Sequence, residues 1–333
     1  MRDEDIEFVS EGVRVRGVLR WPDVPPDSPP PLVLQGPNWG LRGSPVADLY
    51  HADLAAAGFA VLTLDHRGWG QSEGERGWLR PAQQREDLHN AITYAQTRGD
   101  LDTDRISLWG LGITGGNAVV AAADDERIAA VVLQSPIADV GAWVREMYAD
   151  RDFDAFAARL AADAAERVAG GEGDYMDPSV EFMGSPAERK GAKMLQVGRS
   201  MRLGSAVHLM RLRPVDVVHR LAPRPLLIIS VPEDRVTGEH HALALFEAAR
   251  APKQLLRLHD VSHYEQYRVA RELHVAPWVA WLNEHDCGPG TDPGDFGREP
   301  TPATGSDGRA PYVTTLRRAA PSPGSDHSST GPR

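Results

Sequence analysis

RISLWGLGITGGNAVVAAA, residues 105–123, is the stretch from which the rest of the chain can be read. Ile106 to Trp109 form a short apolar run, which predicts a buried strand. Glycines at 110, 112, 115 and 116 follow within seven positions and predict a sharp turn. NAVVAAA, from Asn117, then opens a helix. A buried strand that passes through a glycine turn straight into a helix is one repeat of an alternating α/β architecture.

The same alternation extends in both directions. GVRVRGVLR (12–20) alternates apolar and polar residues as an edge strand would. PLVLQ (31–35) and FAVLTLD (59–65) are apolar runs, separated by a Gly/Pro-rich loop and a helix through DLYHADLAAAG that ends at Gly58. A helix is predicted from Pro81 to Thr97, with Leu88, Ile92 and Ala95 on one face. Downstream, IAAVVLQSP, PLLIIS and QLLRLHD are further apolar runs bounded by turn signals. Strands apolar on both faces, alternating with helices, imply a mostly parallel central sheet with helices on both faces.

Residues 138–213 break this rhythm. They hold no strand-like run but carry amphipathic patterns such as WVREMYADRDFDAFAARLAADAAERV, and read as a helical cap insertion. From 286 onward Pro, Gly, Ser and Thr dominate without period, so 286–333 is expected to be a disordered tail. The core is then 1–137 together with 214–285. Of the 333 residues 41% are hydrophobic and 25% charged, as in ordinary globular enzymes. A net charge of −11 argues against nucleic acid or an anionic membrane as partner. The charged N-terminus MRDEDIEFVS is no signal peptide, and no run is long enough to span a bilayer, so a cytoplasmic setting is expected. The single cysteine, Cys287, excludes an intrachain disulfide and a cysteine-rich metal site. A small molecule is the expected partner, and a homodimer is an admissible assembly.

DHRGWGQSEG (65–74) resembles the D-x-R-G-x-G-x-S-x-G turn of the α/β-hydrolase superfamily, in which the Asp and Arg brace the loop. RISLWGLGITGGNAV stands where that superfamily has its nucleophile elbow, similar to G-x-S-x-S-G-G. Laid on this pattern, Gly110 takes the first position and Gly112 the serine position. The chain is therefore identified as an α/β-hydrolase-fold protein in which glycine replaces the nucleophile. Its loop Gly36-Pro37-Asn38-Trp39-Gly40 resembles hydrolase-like proteins that handle polyketide, peptide or ester substrates. A second register, Gly112-Ile113-Thr114-Gly115-Gly116 read as G-x-T-x-G, would make Thr114 the nucleophile.

The resemblance places the triad acid at Asp234, after the PLLIIS strand, with Glu233 as the alternative. It places the catalytic histidine at His263, about 30 residues later. Backbone N–H groups of Asn38 and Ile113 would form the oxyanion hole, and Trp39, Thr114, Trp143, Met147 and Tyr264 would line the substrate site. A base beside an oxyanion hole can abstract a proton next to a carbonyl. The expected activity is thus cofactor-free and non-hydrolytic: a lyase, isomerase or cyclase acting on a carbonyl or acyl small molecule. A hydrolase using Thr114 or an activated water, and a catalytically inactive binding protein, are the alternatives. His240, His241, His259, Asp260 and His263 cluster in sequence, but His259-x-x-x-His263 spans a strand end and a loop rather than one helix face, so no metal is expected there.

Overall fold

A computed structural model describes residues 2–23, 28–36, 45–183, 185–194, 200–268, 270–290 and 313–317. In chain order these form β1 (Arg2–Ser10), β2 (Val13–Trp21), β3 (Pro31–Gln35), α1 (Pro45–Ala56), β4 (Ala60–Asp65), α2 (Pro81–Gln96), β5 (Asp102–Leu111), α3 (Gly112–Asp124) and β6 (Ile128–Gln134). The insertion follows as α4 (Val140–Met147), α5 (Phe153–Val168), β7 (Tyr175–Met176), α6 (Pro178–Glu181), α7 (Pro186–Met194), β8 (Met201–Arg202) and α8 (Ser205–Leu209). The body resumes with β9 (Leu226–Ser230), α9 (Glu239–Ala248), β10 (Lys253–His259) and α10 (Arg271–Glu284), and β11 (Val313–Arg317) closes the order.

Among the described residues, nine strands form one sheet in the order β1-β2-β4-β3-β5-β6-β9-β10-β11. From β4 to β11 every pairing is parallel, while β1 and β2 join antiparallel. Every residue of β3, β4 and β9 is buried, as expected of parallel strands covered on both faces. Two apolar clusters lie on the two sides of the sheet, one around Trp109, Tyr50 and Trp278 and the other around Leu34, Leu88 and Ile106. α2 buries Leu88, Ala91, Ile92 and Ala95, the face the sequence marks. This is the expected α/β-hydrolase fold. Among the described residues no helix is long and apolar enough to cross a membrane.

The structure departs from the sequence reading at four places. The charged N-terminus is a strand: β1 turns Ile6, Phe8 and Ser10 inward, their acidic neighbours outward, and pairs along the whole of β2. β2 is therefore not the sheet edge. α3 begins at Gly112, five residues before Asn117. The insertion is helical, yet β7 and β8 form a two-residue antiparallel ladder. Finally, 286–333 is not uniformly without structure. Val313–Arg317 adds to the edge of β10 in parallel register, and Leu316 is buried against α10 and β10.

Candidate active site

Parallel strands bring the carboxyl ends of β5, β6, β9 and β10 to one edge of the sheet, where α/β folds carry their sites. At the end of β5 the chain turns through Gly112 (φ +52°) directly into α3. The glycines of this turn answer to two different demands. A Cβ on Gly110 would lie 2.6 Å from the Thr114 carbonyl oxygen, and one on Gly116 would lie 2.7 Å from that of Ile137 and 2.8 Å from Pro214. These two let α3 pack closely against β5, Ile137 and Pro214. A Cβ on Gly112 would meet nothing within 4 Å, so Gly112 is set apart by its backbone conformation and by the open space above it.

Thr114 stands two residues further on, in the first turn of α3. Its Oγ1 donates to the Leu111 carbonyl at 2.8 Å and accepts from the Leu111 N–H at 3.2 Å. The hydroxyl closes the helix start and is engaged by the Leu111 backbone. Ile113 is buried in the first turn of α3, where backbone N–H groups lack intrahelical acceptors. Asn38 and Trp39, the remaining predicted site residues, lie outside the described residues.

β9 delivers Asp234 on the turn that follows it. The buried carboxylate accepts from the N–H groups of Val236 (2.7 Å) and Thr237 (2.9 Å) and from the Thr237 hydroxyl (2.7 Å). His263, in the loop after β10, bonds through Nδ1 to Asp234 Oδ2 at 2.7 Å. Burial works to raise the Asp234 pKa, but the charge and hydrogen bond of His263 and the Thr237 donors outweigh it and hold the carboxyl well below the usual range. Asp234 is thus an anion that orients the imidazole. Among the described residues His263 Nε2 has no hydrogen-bond partner. Glu233 is instead 58% exposed and faces His259 at 3.7 Å. The two histidines of the His259-x-x-x-His263 spacing therefore serve different carboxylates.

Several supports were not foreseen. Gln266 Nε2 donates to the His263 carbonyl (3.0 Å) and to Ser135 Oγ (2.8 Å), tying the histidine loop to the end of β6. Thr237 could have been found from the D-x-x-T spacing after β9, since a hydroxyl three residues past a turn aspartate commonly bonds to it. Trp143 is fully buried and its Nε1 donates to the Val236 carbonyl at 2.6 Å, so this predicted substrate contact anchors α4 onto the acid's turn. Tyr264 packs edge-on against His263 and donates its hydroxyl to the Glu188 carbonyl at 2.9 Å, which joins the histidine loop to α7. Met147 is partly buried at the end of α4.

The D-x-R turn behaves as the resemblance implies. Asp65 Oδ2 accepts from the Gln71 N–H at 2.9 Å, and Arg67 bonds to the buried Asp87, which also holds Ser10 (2.7 Å) and His66 (3.1 Å). These residues brace the sheet edge.

The relatives that this chain resembles carry varied names. An uncharacterised 31.7 kDa protein of the traX-finO intergenic region of Escherichia coli is 28% identical over 235 residues, covering 69% of this chain and 82% of its own. The thiohydrolase aneE of Aspergillus aculeatus is 26% identical over 237 residues, 62% of this chain and 70% of its own. The polyketide transferase grgF of Penicillium sp is 24% identical over 282 residues, 78% of this chain and 89% of its own. The crystal structure of the α/β hydrolase GrgF from Penicillium sp. sh18 superposes with a TM-score of 0.74 at 23% identity, covering 86% of this chain and 99% of that one. Residues 11–265 match the family model of the X-Pro dipeptidyl-peptidase, S15. Running from β2 through β10 and the Asp234–His263 pair, that match makes the chain a member of the S15 family of α/β hydrolases.

Proposed function

We propose that this chain is an enzyme acting on acyl or polyketide-type carbonyl substrates without an acyl-enzyme intermediate, with His263 as general base and Gly112 in the place of the serine nucleophile. The observation that carries the reading is the combination of an intact Asp234–His263 pair with an apex that holds no side chain. Gly112 supplies no hydroxyl, and the Thr114 hydroxyl is engaged by the Leu111 backbone. A buried imidazole oriented by an anionic carboxylate remains competent to take a proton. The N–H groups of Ile113 and Asn38 would stabilise the resulting enolate. Proton abstraction next to a carbonyl serves elimination, isomerisation or cyclisation, and the open space above Gly112 would receive the carbonyl. The names polyketide transferase and thiohydrolase among the relatives support an acyl thioester as substrate.

The test is incubation with a β-ketoacyl thioester in D2O, following deuterium at the carbon between the carbonyls and release of free thiol. Exchange faster than in buffer, without thiol release and absent in His263→Ala, is the expected result. Thiol release that depends on His263 would identify water-mediated hydrolysis and overturn the non-hydrolytic reading. No effect of His263→Ala on either signal would leave a binding protein.

A further inference from the structure

The start of α9 carries consecutive histidines, His240 and His241, immediately after the acid's turn. Consecutive helical residues ordinarily diverge by about 100°. Here both rings converge on one carboxylate of the cap: His240 Nε2 lies 3.1 Å from Glu146 Oε1, and His241 Nε2 lies 3.4 Å from Glu146 Oε2. The ring centroids are only 4.3 Å apart. Gly238 permits this, because a Cβ there would come within 2.5 Å of Cε1 and 2.7 Å of Nδ1 of His240. The imidazole folds back over the glycine.

We propose that Glu146, His240 and His241 bind a divalent transition-metal ion of zinc's class, fastening the cap to the body beside the Asp234 turn.

Three observations carry this. One donor atom from each residue lies within 4.8 Å of the others. Donors at about 2.0–2.1 Å from a tetrahedral ion stand about 3.3–3.4 Å apart, and each ring lies near that spacing from one Glu146 oxygen, His240 from Oε1 and His241 from Oε2. Second, His241 is buried, and its Nε2 meets the Glu146 carboxylate at 3.4 Å without hydrogen-bond geometry. A buried nitrogen without a well-formed hydrogen bond is costly, and a metal ion would satisfy its lone pair. Third, two imidazoles and one carboxylate are a donor set suited to zinc and its neighbours rather than to calcium or magnesium, with a fourth position left for water.

The site would act on the cap's attachment. Glu146 and Trp143 lie one turn apart on α4, and Trp143 already bonds to Val236 in the acid's turn. The ion would add a second fastening six and seven residues beyond Asp234. This inference does not depend on the reaction proposed above.

The experiment uses the untagged full chain, stripped with a chelator and titrated with zinc chloride, followed by calorimetry and thermal melting. One zinc per chain and a raised melting temperature are expected, together with the intense visible absorption of a tetrahedral cobalt(II) site when cobalt replaces zinc. His240→Ala should weaken binding by about 100-fold or more and abolish the melting shift. Its ring is 61% exposed, so the fold should survive the change. Glu146→Gln should do the same, whereas His219→Ala, an exposed histidine elsewhere, should bind as the wild type does. Absence of zinc binding, or binding unchanged in His240→Ala and Glu146→Gln, would overturn the proposal and leave a simple hydrogen-bonded cluster.

Discussion

Gly112→Ser tests the centre of the site most directly, because the structure separates its two costs. A Cβ added there meets no atom within 4 Å, so its steric cost is close to zero. What remains is backbone strain at φ +52°, about 1–3 kcal/mol for a non-glycine residue. At roughly 2–4 °C per kcal/mol for a domain of this scale, the melting temperature should fall by about 2–12 °C, and the protein should still fold. Gly116→Ser is the contrast. Its Cβ would press on the Ile137 carbonyl and on Pro214, neither of which is the end of a flexible chain, so it should destabilise the fold far more. If Gly112 occupies the nucleophile position, the new hydroxyl comes within reach of His263. Gly112→Ser should then react with a fluorophosphonate probe while the wild type does not. Labelling should vanish in Gly112→Ser combined with His263→Ala. A stable Gly112→Ser variant that stays unlabelled, or one labelled equally without His263, would refute the assignment of the apex.

Further tests follow from the buried ionisable groups and the sheet edge. In the Gly112→Ser background, Asp234→Asn should slow labelling by orders of magnitude, because the amide can hold the wrong imidazole tautomer; an unchanged rate would remove Asp234 from the site. The Asp234 carboxyl titrates well below an unfolded carboxylate, so its stabilising share is present above about pH 3.9 and lost as the pH falls through the depressed native value. Wild type minus Asp234→Asn stability, measured by denaturant melts across pH, should narrow in that acid window. His51 and His274 are buried and pushed down to about 3, so below about pH 6.5 the unfolded chain binds protons that the native one refuses. Each should lower stability by up to about 1.4 kcal/mol per pH unit between those values, and His51→Gln should flatten the measured slope by one group's share. Ending the chain after Gly290 should remove β11, expose the β10 edge and lose the burial of Leu316, about 1.5–3 kcal/mol by melting, with more aggregation.

The body of the fold was legible because its central strands are apolar on both faces and are punctuated by glycine and proline. Asp234 and His263 were legible from position, one on the turn after β9 and one in the loop after β10. β1 was not read, because Asp3, Glu4, Asp5 and Glu7 hide the period of Ile6, Phe8 and Ser10 in a strand half open to water. β7 and β8 are two residues each, too short to show any alternation. β11 joins by backbone pairing, with Leu316 alone among its residues buried, so composition gave no sign of it. His240 and His241 stand out as a cluster in the sequence, but their convergence does not, because it depends on Glu146, almost a hundred residues away, and on the space over Gly238.

The parallel register of β11 also decides where probes can be attached. Arg317 pairs with His259, four residues before His263, so position 317 marks the sheet edge that carries the candidate site. β1, antiparallel to β2 and so aligned with β4, begins at the opposite edge. The only native thiol, Cys287, is 5% exposed. A cysteine introduced at 317 would therefore take a maleimide dye selectively and report on events near His263, while one introduced at Asp3 would serve as the distant reference.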